Sequence, residues 1–312
     1  MIACKKMRKY CLFPIVLILT FIPCVLPAQG ISPETNSLSS QLDTLIKYQL
    51  PAGSNVSVSA YDLTANKVLY DYQADKLSRP ASTMKLLTTI TALARPDADE
   101  PFKTEVWYQG VIERDTLKGD IYVVGGYDPE FDDEALDSLV NTVSRFPFSV
   151  IAGNVYGDVS MKDSIYWGSG WAWDDTPASY QPYLSPLMLN KGLVTVTASP
   201  GEKGEMANIE CVPASSYYTV TNETQSRTPS AGRFGVSRDW LQNGNNVIIK
   251  GNVESKRIGT VNIYSSQDFF MYTFLERLRA KGIQCPAGYA FNELQKDSLS
   301  AVSYTHLRAH ET

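Results

Sequence analysis

Apolar residues recur at helical spacing in a few places along the chain and alternate at strand spacing through much of the rest. Leu38, Leu42, Leu45 and Ile46 form one stripe of an amphipathic helix over 37–48. Val56 to Tyr61 alternates apolar and polar positions, Asp62 to Lys67 supplies turn residues, and Val68 to Tyr72 alternates again, which predicts a β-hairpin. Pro80 then suits the turn before a helix that runs through Leu86 to Ala94 and stops at Arg95-Pro96. Beyond Pro96 the spacing predicts short strands at 103–108, 111–114, 118–124 and 149–159, the last passing through Gly153-Asn154. Further strands are predicted at 193–197, 217–220 and 246–250, with loops at 199–203 and 221–232. Leu136 to Phe146 predicts a helix, and Asp268 to Lys281 another, closed by Gly282 in the helix-stop position. The chain contains no internal repeat and no low-complexity tract.

Composition adds a compartment to this picture. Residues 1–28 read as a secretory signal, with Lys5, Lys6, Arg8 and Lys9 as the basic n-region, Cys11 to Leu26 as the apolar run and Ala28 as the small residue before cleavage. Pro14 and Pro23 interrupt a run already short for a membrane span, which argues against a retained anchor. Loss of those four cations takes the formal charge from −5 to −9, so an acidic exported protein is expected, in the periplasm, and nucleic acid is excluded as a partner. Cys211 and Cys285 are the only cysteines beyond the signal, and their separation leaves a disulfide and two thiols equally open. From about Val302 the chain resembles read-through into a transposon-based sequencing adapter, and both histidines, His306 and His310, lie there. With them set aside, Ser-His-Asp catalysis and histidine-based metal sites drop out.

One candidate for chemistry remains. Ser82 and Lys85 stand three residues apart at the start of the predicted helix, which puts a hydroxyl and an amine on one face. A serine becomes a nucleophile when a base takes its proton, and a lysine kept partly neutral can be that base. Alone the pattern is weak, since a Ser-x-x-Lys arises by chance about once in a chain of this length. Gly125-Gly126 reads as a turn rather than a phosphate loop, because no helix with a lysine and hydroxyl follows. Trp167, Trp171 and Trp173 crowd before Asp174-Asp175 and Tyr180; this is either a surface loop at a boundary or a loop facing an amine-bearing ligand.

Taken together, Pro80-Ala-Ser-Thr-Met-Lys85, Lys118-Gly-Asp with Val123-Val-Gly-Gly-x-Asp-Pro129, Trp171-x-Trp-Asp-Asp175 with Tyr180, and the helix-Gly-Ile ending at Ile283 resemble the DacB-type D-alanyl-D-alanine carboxypeptidase/endopeptidases. These are three-domain, low-molecular-mass penicillin-binding proteins. The resemblance implies an α/β penicillin-binding fold, an antiparallel sheet flanked by helices, with a large mainly β insertion after the Ser-x-x-Lys helix. Residues 29–97 and 265–300 would form the catalytic domain, 98–264 the insertion and 301–312 the read-through. It implies cleavage of D-Ala-D-Ala in peptidoglycan stem peptides through an acyl-enzyme on Ser82, with Lys85 as base, Asp175 and Tyr180 contacting the substrate's amine-bearing side chain, and no cofactor or metal. Partners would be stem peptides and β-lactams, with peripheral membrane association left open. The family's Ser-x-Asn and Lys-Thr-Gly elements occur nowhere in the 312 residues, so the chain itself is expected to be inactive and poorly folded. A serine β-lactamase and a non-catalytic cell-wall-binding homologue are the alternative readings.

Overall fold

The structure, a computed structural model, describes residues 37–95 and 101–295, which fall into two compact units divided after Arg95. The signal-like segment and the chain end from 296 lie outside the described residues.

The first unit follows the predicted order. Helix α1 spans Leu38–Tyr48, and the Ser37 hydroxyl caps it by accepting the Ser40 N–H at 3.2 Å. Strands β1 (Val58–Asp62) and β2 (Lys67–Tyr72) pair antiparallel, with Val58 opposite Tyr72 and Asp62 opposite Lys67. The turn between them closes because Asp62 Oδ1 accepts the N–H groups of Thr64 and Ala65, each at 2.9 Å. Tyr70 on β2 is buried, and its hydroxyl donates to Asp43 on α1 at 2.6 Å. A 3₁₀ turn, Ala81–Thr83, leads into helix α2 (Met84–Ala94), and Arg95 turns extended at ψ 145°. That ending is what a following proline imposes.

The second unit is a sheet core with two smaller sheets. Strands β3 (Glu105–Glu113) and β4 (Thr116–Val124) form a long antiparallel hairpin. The two short strands predicted at 103–108 and 111–114 are therefore one, because Gly110 at φ 116° lies opposite Gly119 and the pair lets the backbones pass without a break. Helix α3 (Asp133–Val143) buries Leu136, Leu139, Val140 and Val143, the stripe its spacing predicts. The strand predicted over 149–159 breaks into β5 (Val150–Ile151) and β6 (Val155–Asp158) at Gly153-Asn154, where Asp120 Oδ1 accepts the Asn154 N–H at 2.7 Å. Both pieces run parallel to β4.

Strands β7 (Leu193–Ser199), β8 (Asn208–Val212) and β12 (Arg257–Asn262) make one three-stranded sheet, with β7 central. Strands β9 (Thr219–Ser226), β10 (Gly235–Arg238) and β11 (Asn246–Val253) make another, with β11 central. Half of the loop predicted at 221–232 is thus strand. The apolar alternation is missing there because the inward residues are Thr224 and Ser226, whose hydroxyls accept the Ala207 and Gly201 N–H groups at 2.9 Å.

Residues 265–300, which the resemblance groups with 29–97, contribute helix α4 (Ser266–Ala280) and strand β13 (Tyr289–Phe291) to this second unit. β13 extends the main sheet parallel to β6, and Phe269, Phe270, Phe274 and Leu278 of α4 share a core with Leu136 and Leu139 of α3. Arg277 fastens the two helices by donating to Asp137 Oδ1 at 2.8 Å and to Asp133. The second unit thus carries two helices and a partly parallel sheet beside its β structure. Gly125 and Gly126 leave β4 against backbone: a Cβ at 126 would meet the Lys103 carbonyl oxygen at 1.9 Å, so the pair is a close-approach turn.

Candidate active site

Ser82 sits in the 3₁₀ turn and Lys85 in the first turn of α2, so the structure puts the hydroxyl and the amine one turn apart at the helix entrance, both on exposed residues. The turn is built locally. Thr83 donates both its N–H, at 3.0 Å, and its hydroxyl to the Pro80 carbonyl, and the Met84 N–H reaches the Ala81 and Ser82 carbonyls. Ala81, immediately before Ser82, has φ 44° in the left-handed region, a conformation that costs an alanine about 1–2 kcal/mol. Strain of this kind gathers at functional residues.

Asp175 and Tyr180 come together in the second unit. The 3₁₀ turn Trp173–Asp175 and the residues after it fold back, so that the Tyr180 hydroxyl donates to Asp175 Oδ1 at 2.5 Å. That hydrogen bond to a carboxylate raises the Tyr180 pKa above the ordinary phenol value, and nearby Asp174 adds to it. Tyr180 is open to solvent and Asp175 half-buried, so the carboxylate is fixed by an exposed phenol and is itself within reach of solvent. Trp173 is 68% exposed and lies against Trp240, ring centres 5.3 Å apart, while Trp167 packs on Tyr183. Trp167 and Trp173 thus each pack on a different ring of the second unit, Trp173 next to Asp174 and Asp175 in the chain. Ser82 and Lys85 belong to the first unit and Asp175 and Tyr180 to the second, each pair assembled within its own unit.

Sequence reasoning missed what holds the second pair in place. Asn262, fully buried at the end of β12, gathers the carbonyls of the loop that carries Asp175 and Tyr180, and it is held in turn by buried Arg238. Nothing in the residue pattern marks an asparagine at a strand end for such a role. Cys211 and Cys285 are both free thiols; burial raises both, Cys285 to about 11. Among the described residues no group of His, Cys, Asp and Glu is placed to hold a metal ion, and no helix is long and apolar enough to cross a membrane.

The profile of the D-Ala-D-Ala carboxypeptidase 3 (S13) family matches residues 38–301. The chain is similar to the D-alanyl-D-alanine carboxypeptidase of Actinomadura sp. (strain R39), 28% identical over 206 residues, which is 64% of this chain and 38% of that protein. It is also similar to the D-alanyl-D-alanine carboxypeptidase DacB of Haemophilus influenzae, 31% identical over 127 residues, which is 41% of this chain and 26% of that protein. The chain thus spans less than half the length of these curated relatives. Among solved structures, penicillin binding protein 4 (dacB) from Haemophilus influenzae matches 85% of this chain and 59% of its own, with a TM-score of 0.61 at 20% identity. The same protein complexed with a β-lactam gives a TM-score of 0.57 at 19% identity, covering 85% of this chain and 57% of its own. The chain therefore shares the penicillin-binding fold over most of its described length.

Proposed function

From the premise that the chain belongs to the D-Ala-D-Ala carboxypeptidase 3 (S13) family, we propose that it carries the nucleophile and a substrate-recognition loop of a serine-type D-alanyl-D-alanine carboxypeptidase/endopeptidase acting on peptidoglycan stem peptides. The observation that carries the reading is Ser82-Thr-Met-Lys85 at the entrance of α2, inside the segment that the family profile matches.

In this reading the Ser82 hydroxyl attacks the carbonyl carbon of the D-Ala-D-Ala bond while Lys85, as base, takes its proton. The Ser82 backbone N–H donates to the oxyanion. Collapse breaks the C–N bond, and the proton passes from Lys85 to the leaving D-alanine amine. Water then cleaves the acyl-serine ester. A β-lactam follows the same first step, but its ring amine stays tethered after the C–N bond opens, so the acyl-enzyme persists. Asp175, oriented by Tyr180, would take the ammonium of the stem peptide's diamino side chain. The second oxyanion donor belongs to the family's Lys-Thr-Gly strand, a triplet the 312 residues do not contain. Export to the periplasm through residues 1–28 fits a peptidoglycan substrate.

Covalent labelling with a fluorescent penicillin tests this. In a protein that joins these residues to a Ser-x-Asn and a Lys-Thr-Gly element, labelling and D-alanine release are expected, and both disappear in Ser82→Ala. Hydrolysis that survives Ser82→Ala removes Ser82 from the role. The 312-residue chain alone is expected to label far below stoichiometry, and full labelling would remove the need for the second donor.

A further inference from the structure

We infer that Asn262, locked by Arg238, is the positioning residue that holds the Asp175–Tyr180 loop in its amine-recognising shape, an inference that rests on the proposed role of that loop. Four carbonyls converge on this one residue. Its side-chain Nδ2 donates to Gln181 at 2.7 Å, to Thr176, and more weakly to Ala178 at 3.3 Å, while its backbone N–H reaches Pro177 at 3.3 Å. All four acceptors lie between Asp175 and the residue just after Tyr180. Gln181 completes the brace by donating from Nε2 to the Ala172 carbonyl at 2.9 Å, on the other side of Asp175.

An asparagine amide can present either end to its neighbours, and only one end serves carbonyl acceptors. Arg238 settles the choice. Its Nε donates to Asn262 Oδ1 at 3.0 Å, which fixes the oxygen toward the guanidinium and sends the NH₂ group into the loop. Both residues are buried, Arg238 at 2% exposure and Asn262 at 0%. The guanidinium is held there by Gly244, whose carbonyl accepts from Nη1 at 3.0 Å, and by the ring of Tyr183, 5.9 Å away. Its Nη2 is buried with no partner, so a buried charge is kept where one N–H group goes unanswered. A lock that needed only packing would not retain that cost. Gly244 lies just beyond Trp240, and Trp240 packs at a tilt against Trp173, so the same guanidinium ties together the two segments that carry this ring pair.

The test compares two D-Ala-D-Ala peptides that differ only in the preceding lysine, one with a free amine and one acetylated, by calorimetry on the full chain. Asn262→Asp keeps the size of the side chain and the contact with Arg238 but turns an oxygen toward the loop carbonyls. Its preference for the free-amine peptide is expected to fall about tenfold, the loss that goes with one set of charged-group hydrogen bonds, while affinity for the acetylated peptide stays put. A purely structural role would lower both affinities alike, and that outcome overturns the inference. Hydrogen exchange is the second arm: amides of 174–181 lose protection in Asn262→Asp while those of β7 keep theirs. Unchanged exchange in the loop also overturns the inference. Where the wild-type chain itself shows no preference between the peptides, the amine-recognition reading fails, and the exchange arm alone decides whether Asn262 positions the loop. Arg238→Met, which frees the amide to flip without adding a charge, is expected to give the same pattern more weakly; full retention of preference and protection there removes Arg238 from the lock.

Discussion

Residues 37–95 and residues 101–295 are built from the same kinds of element, yet they are held together by different means. In the second unit Leu136, Leu139, Ile151, Phe269, Phe270 and Phe274 are sealed from solvent in one shared core. In the first, Tyr70 is the one buried hydrophobic side chain among the described residues, and Leu86, Leu87, Ile90 and Leu93 of α2 are all more than half exposed. α2 carries Leu86, Leu87, Ile90 and Leu93 on one face, opposite Lys85, Thr88, Thr89 and Thr91, a stripe of the kind that packs against a core. Its local signals, the Pro80 turn and the Arg95 stop, are enough to draw the helix but not to stabilise it against an interior. The unit proposed to carry the nucleophile therefore rests on local hydrogen bonds, while the unit proposed to recognise substrate rests on packing.

That contrast is broken most forcefully by paired truncations. Phe270 is fully buried and packs on Phe131, ring centres 5.1 Å apart, so Phe270→Ala is expected to cost about 3–5 kcal/mol. Ile90→Ala removes an apolar side chain that is 62% exposed, and little is lost. All five tryptophans lie between Trp107 and Trp240, so intrinsic fluorescence during urea unfolding reads the second unit alone. Phe270→Ala is expected to move the midpoint sharply and Ile90→Ala to leave it in place. An equal shift from both would mean that the two units unfold as one and that the contrast is false.

How much of this was legible in the sequence follows the same divide. The first unit depends on short-range signals, and its helix, its hairpin and the turn that carries Ser82 fall within a few residues of where spacing and turn chemistry put them. In the second unit the elements with apolar stripes, α3 and α4, were legible, whereas β9 was not, because its buried positions are Thr224 and Ser226 rather than hydrophobes. The pair Ser82 and Lys85 could be read from its own spacing, and Asp175 with Tyr180 came from family resemblance. Asn262 and Arg238 could not be read at all, since a hydrogen-bonding hub made by residues 24 positions apart exists only after the strands have paired. Gly126 is an intermediate case: its identity suggested a turn, and the structure supplies the reason. Gly126→Ala would drive a methyl group into the Lys103 backbone, which cannot rotate away, for an expected loss of about 1–3 kcal/mol in the tryptophan-detected unfolding. Wild-type stability in that variant would show that the segment yields freely and that this corner is not part of the packed unit.

The smallest effect is expected in the first unit and is a matter of pH. The Tyr70 hydroxyl donates to the Asp43 carboxylate, and this bond, with burial and the neighbouring negative charge, lifts the Tyr70 pKa from 10.0 to about 12. Folding therefore favours the neutral phenol. The contribution of this contact is complete below pH 10, where the unfolded phenol is also neutral, and it fades as pH climbs from 10 toward 12. Over that window α1 should detach from β2, and limited proteolysis within Leu38–Tyr48 should accelerate. The same linkage acts on the second unit, where burial also raises Tyr217, Tyr218 and Tyr289, so its tryptophan-detected urea midpoint should fall over this window as well, and the α1 step is told apart from that fall by a variant of Tyr70 itself. Tyr70→Phe removes the bond at every pH, so its α1 should be cut at the faster rate already at neutral pH and show no step between 10 and 12. A wild-type cleavage rate indifferent to that window, or a step that persists in Tyr70→Phe, would mean that something other than this one hydrogen bond joins α1 to the hairpin.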